Sequence, residues 1–168
     1  MKYISARTFR GGIAIVVLAL ALHHCGQPSE VKQKQSTSAE AEAFSSWTTD
    51  YEAARSFAKK TGKKTFLLFT GSDWCRPCIN LEGEVFHSEE FKKLTKDLVL
   101  IKLDFPRRKP QDPELRKRNQ RLMRKYRASG FPTVIILSPD GKELYRKVGY
   151  RKGEKDSFLN EINRIITS

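Results

Sequence analysis

Apolar residues along this chain recur at two spacings, and the switches between them outline its elements. Trp47, Tyr51, Ala54, Phe57 and Ala58 stand at helical spacing, behind Thr48, Thr49 or Asp50 as a cap and ahead of Gly62 as a stop. Lys59, Lys60, Lys63 and Lys64 would lie near the C-terminal dipole of that helix. Thr65–Thr70 is a nearly unbroken apolar run, the pattern of a strand buried in the centre of a sheet. Gly71-Ser72-Asp73 reads as a turn, and a helix beginning near Cys75 carries Ile79, Leu81, Val85 and Phe86. Ser88-Glu89-Glu90 reads as a fresh cap for a short helix with Phe91 and Leu94. Leu98–Phe105 is a second core strand.

Pro106, Pro110 and Pro113 then break regular structure, before an amphipathic helix at Leu115–Arg127. Its apolar stripe is Leu115, Leu122, Met123 and Tyr126. Strands at Thr133–Leu137 and Glu143–Val148 flank Pro139-Asp140-Gly141, a hairpin turn, and Asp156–Ile166 closes the chain as a helix. This order predicts an α/β fold, a central mixed sheet of four to five strands with helices on both faces.

The pattern is different before Phe44. Lys2, Arg7 and Arg10 precede ten apolar residues, Ile13–Leu22. A membrane-spanning helix needs about 20, so residues 1–24 read as an export signal rather than a span. Ala19-Leu20-Ala21 offers a cleavage site; Cys25 offers a point of lipid attachment, with His24 where lipoprotein signals carry a small residue. Residues 25–43 are too polar to offset the entropy of ordering and read as a disordered tether. The folded domain is expected over 44–168, with a basic insertion at about 106–127.

Charge adds a question about partners. Lys and Arg number 32 against 19 Asp and Glu, a net charge of +13. Residues 107–127 concentrate ten of the basic residues against Asp112 and Glu114. Such a stripe is either a solvated surface or a dock for an anionic protein partner or membrane surface. An export signal places the chain away from nucleic acid, which excludes that partner class.

The candidate chemistry lies in Asp73-Trp74-Cys75-Arg76-Pro77-Cys78. Residues three apart share a helix face, so Cys75 and Cys78 can reach one another as a disulfide. Cys75 at a helix start faces unpaired N–H groups that favour its thiolate and lower its pKa below the free value of about 8.5. Cys78, one turn deeper, starts higher through burial. A metal reading of the pair lacks ligands: a structural zinc site takes four, and the histidines are His23, His24 and His87. No metal and no cofactor are expected, because the dithiol itself carries two electrons.

Trp74-Cys75-Arg76-Pro77-Cys78 and Phe131-Pro132-Thr133, in this order of elements, resemble the thioredoxin superfamily, and within it the exported disulfide oxidoreductases of the DsbH and DsbD types. The resemblance implies a thioredoxin-like fold and a redox-active Cys75–Cys78 disulfide. It implies a cis Pro132 facing the dithiol, with the Phe131 backbone presented to substrate beside Trp74 and Arg76. It implies a monomer acting on disulfide-containing proteins or small thiols, recharged by a membrane reductant conductor of DsbD type in the periplasm. One position departs from the pattern: thioredoxins carry a buried acid six residues before the first cysteine, and this chain carries Phe69. Lys102 matches the lysine that accompanies that acid. Glu82, four residues after Cys78, is either the substitute proton acceptor or an exposed helix carboxylate. Arg76 and the missing acid favour an oxidant; the absence of a large inserted helical domain favours a reductase. Thiol oxidase and isomerase remain the alternatives.

Overall fold

The computed structural model describes Phe44 and residues 46–168. The export signal at 1–24, the tether at 25–43 and Cys25 lie outside the described residues. Helix α1 (Tyr51–Thr61) is capped by Asp50, whose side chain accepts from the Ala53 N–H, and ends at Gly62 in the left-handed region (φ 71°). Strand β1 (Thr65–Thr70) follows, buried along its whole length. Helix α2 (Arg76–Leu81) runs directly into a π-helical turn at Glu82–Phe86. Then come α3 (Glu89–Thr95) and β2 (Val99–Asp104). After α4 (Pro113–Lys125) come β3 (Thr133–Leu137), β4 (Glu143–Val148) and α5 (Lys155–Thr167).

The strand order is β2-β1-β3-β4. β1 pairs parallel with β2 across the α2–α3 crossover and antiparallel with β3, and β3 and β4 form a hairpin. Alternation along β1 feeds two cores. Leu67 and Phe69 pack with α1 and α4 on one face, while Phe66 and Leu68 pack with α2, the π turn, α3 and α5 on the other. The predicted mixed α/β sheet with helices on both faces is the architecture found.

Several local expectations change. Trp47 does not lie on α1. Its ring packs against Phe66, Phe86 and Phe91 on the opposite face, because Thr48 first bridges to β2 at Ile101. Pro113 starts α4 rather than breaking it. Asp112 caps the helix by accepting from the Leu115 N–H, and a proline in the first turn sacrifices no intrahelical bond. Lys64 caps α5, donating to the Ile165 and Ile166 carbonyls at 3.0 Å each, and not α1. The π turn was not foreseen. Its extra residue per turn lets the adjacent Val85 and Phe86 both enter the core.

Candidate functional site

The central strand ends at Thr70, and the chain turns at Gly71 because a tryptophan lies over it. A Cβ there would stand 2.6 Å from ring atoms of Trp74. The Cys75 N–H returns to the Gly71 carbonyl at 2.9 Å, which closes the turn and delivers Cys75 to the N-cap of α2. Cys75 and Cys78 form a disulfide, with Cα atoms 5.2 Å apart. The Cys78 N–H points at Cys75 Sγ at 3.3 Å. Both cysteines are nearly covered, at 5% and 3% exposure, so access to the sulfurs is set by their neighbours.

Those neighbours form two flanks. On one, Cys78 and Glu82 line a cavity of about 380 Å³ with Thr70, Ser72, His87 and Lys102. The Glu82 carboxylate accepts from Lys102 Nζ at 2.8–2.9 Å, and His87 Nε2 stands 3.7 Å from it. Glu82 is half-buried rather than free in solvent. The sequence placed Lys102 beside the Phe69 position, and the structure does not. Register pairs Lys102 with Leu68 and Phe69 with Leu103, so the period of two sends Lys102 and Phe69 to opposite faces. Phe69 is fully buried, its ring 6.5 Å from Phe105 and 6.2 Å from Tyr126.

The other flank is aromatic and basic. Trp74 Nε1 donates to the Phe105 carbonyl at 2.8 Å, and its ring meets Phe131 edge-on at 5.7 Å. The Arg107 guanidinium covers the Trp74 ring at 3.6 Å. The Phe131–Pro132 peptide bond is cis. The Pro132 carbonyl accepts from the Gly149 N–H at 2.7 Å, while the Phe131 N–H and C=O have no partner among the described residues. Arg76 is exposed at the first position of α2, with no ion pair among the described residues.

Sequence reasoning missed two carboxylates that build this site. Asp73 accepts from the backbone N–H groups of Arg107, Arg108 and Lys109 at 3.0, 2.7 and 2.9 Å, which straps the basic loop beside the dithiol. These amides, that of Arg107 foremost, hold the Asp73 carboxyl below its ordinary value of 3.8. Asp104 accepts from the Ser72 N–H at 2.9 Å and the Ser72 hydroxyl at 2.6 Å, tying the turn to the end of β2. The available signal for Asp73 was a polar turn residue two before the cysteine; its partners lie more than 30 residues away. Because the Asp73 pKa is depressed on folding, its contribution is complete above the ordinary aspartate range and is lost as pH falls through the lower folded value. Hydrogen exchange at Arg107, Arg108 and Lys109 is therefore expected to stay slow at neutral pH and to speed up in Asp73→Ala. An unchanged exchange rate in that variant would remove the strap.

Among the described residues no cluster of three or more His, Cys, Asp or Glu could hold a metal ion. No described helix is long and apolar enough to cross a membrane.

A Cys-x-x-Cys disulfide at the first turn after a buried central strand, in a β2-β1-β3-β4 sheet, defines a thioredoxin-like thiol–disulfide oxidoreductase. Residues 51–163 match the thioredoxin-like domain, and the chain belongs to that family. It is 33% identical over 117 residues to the disulfide bond reductase DsbH of Chlamydia pneumoniae, covering 69% of this chain and 70% of that protein. It is 28% identical over 106 residues to the thiol:disulfide interchange protein DsbD of Actinobacillus pleuropneumoniae serotype 5b (strain L20), covering 62% of this chain and 16% of the relative. A solved DsbH oxidoreductase superposes with a TM-score of 0.66 at 31% identity, over 73% of this chain and 84% of that one. The expected likeness to DsbH- and DsbD-type proteins therefore holds.

Proposed function

We propose that the chain is an exported disulfide reductase working through Cys75 and Cys78. The observation that carries this reading is the placement of the disulfide, with a carboxylate–lysine cavity on the Cys78 side and an aromatic groove on the Trp74 side. The Cys75 thiolate, favoured by the Cys78 N–H aimed at its sulfur, attacks a substrate disulfide. One substrate sulfur leaves as thiolate and the other forms a mixed disulfide with Cys75. Cys78 then loses its proton, attacks Cys75 Sγ and releases the second substrate thiolate. Two electrons pass to substrate, and a dithiol donor restores the pair.

Each site residue has a role in this reading. Glu82, held in the cavity by Lys102, takes the Cys78 proton. Trp74 and Phe131 wall the approach, the free Phe131 backbone pairs with substrate beside Pro132, and Arg76 offers charge at the helix start. The signal-like segment at 1–24 supports export to a periplasmic compartment, where a membrane conductor of DsbD type would supply electrons. The printed activity of the DsbH relative, a disulfide bond reductase, supports the direction. A second reading, a thiol oxidase, rests on Arg76, whose charge stabilises a thiolate and with it the reduced pair.

The redox midpoint of the pair decides between them. A reductase is expected near the thioredoxin value of about −270 mV, with turnover on insulin disulfides, and a value near about −120 mV would sink that reading. In the same preparations, Glu82→Gln is expected to slow resolution of the mixed disulfide by about a hundredfold near neutral pH. An unchanged rate would hand the proton to water.

A further inference from the structure

The groove beside Trp74 has a charge pattern that thiol chemistry alone does not require. Its volume is about 470 Å³, and its lining joins the aromatic rings of Trp74, Phe105 and Phe131 to Arg107, Arg116 and Met123. No Asp or Glu lines it. A second hollow of about 350 Å³ continues from it, sharing Gln120 and Met123 and ending at Arg124 and Arg127. That hollow is also free of acids. Arg116, Gln120, Met123 and Arg124 stand at i, i+4, i+7 and i+8 on one face of α4, and Arg127 follows just past the helix end, in the left-handed region (φ 49°).

These cations are uncompensated. Arg107, Arg116, Arg124 and Arg127 make no ion pair among the described residues, although Lys117, in the same stretch, is paired with Glu114. Asp73, two residues before Cys75, turns both oxygens to backbone N–H groups rather than to a guanidinium. Its strap fixes Arg107 over Trp74. A flexible basic loop would need none of this; a track that begins at Trp74, the residue before Cys75, does.

We propose that this track binds an acidic segment of a protein substrate next to the cystine to be reduced. The proposal rests on the reductase reading and names the substrate class for it. Arg107 holds its guanidinium face on Trp74 and leaves its N–H edge, free of hydrogen bonds among the described residues, for a carboxylate. From Arg116 to Arg124 the helix runs about 12 Å, the reach of about four residues of extended peptide. A segment that meets both ends of this span therefore carries acidic residues about four apart, and an apolar residue against Phe131 and Met123 completes the fit.

The test measures binding and turnover separately. Rhodamine-labelled peptides free of cysteine, one with four glutamates and one with four glutamines, are titrated into the oxidised protein by anisotropy at low salt. The acidic peptide is expected to bind at least about tenfold tighter, the combined effect of a few exposed charge pairs. Arg107→Gln/Arg116→Gln should erase the preference, Arg107→Lys/Arg116→Lys should keep most of it, and added salt should weaken it. Matched disulfide peptides should show the same preference in kcat/KM. Equal binding of the two peptides overturns the proposal. So does retention on phosphatidylglycerol vesicles without any peptide preference, which makes the stripe a membrane surface. Preferential binding without any disulfide turnover keeps the track and removes the reductase reading, whereas equal turnover of both peptides without binding preference does the reverse.

Discussion

Cys78→Ser is expected to accumulate a covalent adduct with a disulfide substrate, and Cys75→Ser is expected to form none. With Cys75 intact, the first exchange proceeds and the mixed disulfide stays, because no second thiol remains among the described residues to release it. With Cys75 replaced, the remaining sulfur is that of Cys78, which lines the cavity of Glu82 and Lys102 and not the groove beside Trp74. Turnover in both variants should fall to the uncatalysed background. Mass spectrometry after exposure to a disulfide peptide reads the adduct directly. An adduct on Cys78 in the Cys75→Ser protein would reverse the assigned roles. The test matters because exposure does not separate the two sulfurs; only their flanks do.

The second large effect concerns stability. Phe69→Asp, which restores the acid that thioredoxins carry at this position, is expected to unfold the protein rather than activate it. Phe69 is fully buried between Phe105 and Tyr126 in the core shared by α1 and α4. Removing a buried phenyl ring costs about 3–5 kcal/mol. A carboxylate in its place adds several more through desolvation, roughly the whole stability of a domain this size. A fall in Tm of at least about 15 °C is the expected reading by calorimetry or circular dichroism. A shift of a few degrees, or a gain in reductase rate, would mean that this core tolerates an acid.

The same position shows how far the sequence could be read. Phe69 was visible as a departure from the family pattern, and Glu82 as a carboxylate one turn from Cys78. Their relation to Lys102 was not visible. It depends on which residue of β1 lies opposite Lys102, and one step of register exchanges the two faces of a sheet. Trp47 was misplaced for a similar reason. Helical spacing grouped it with Tyr51, but a two-hydrogen-bond bridge at Thr48 to β2 takes the chain across to the other core first. Pro113 could be read as a break or a start, and the choice was made by whether Asp112 could cap.

The elements, their order and the dithiol were determined by the sequence itself, because hydrophobic period, capping residues and a three-residue spacing are local quantities. The membership of the thioredoxin-like family follows from those local features. The tertiary structure alone decided what surrounds the sulfurs. Asp73 meets amides 34 to 36 residues away, Glu82 meets Lys102 from 20 residues away, and Arg107 reaches Trp74 across the end of the sheet. Each of these contacts joins residues that no periodicity links. They exist because the parallel pairing of β1 and β2 brings the turn after one strand against the loop after the other.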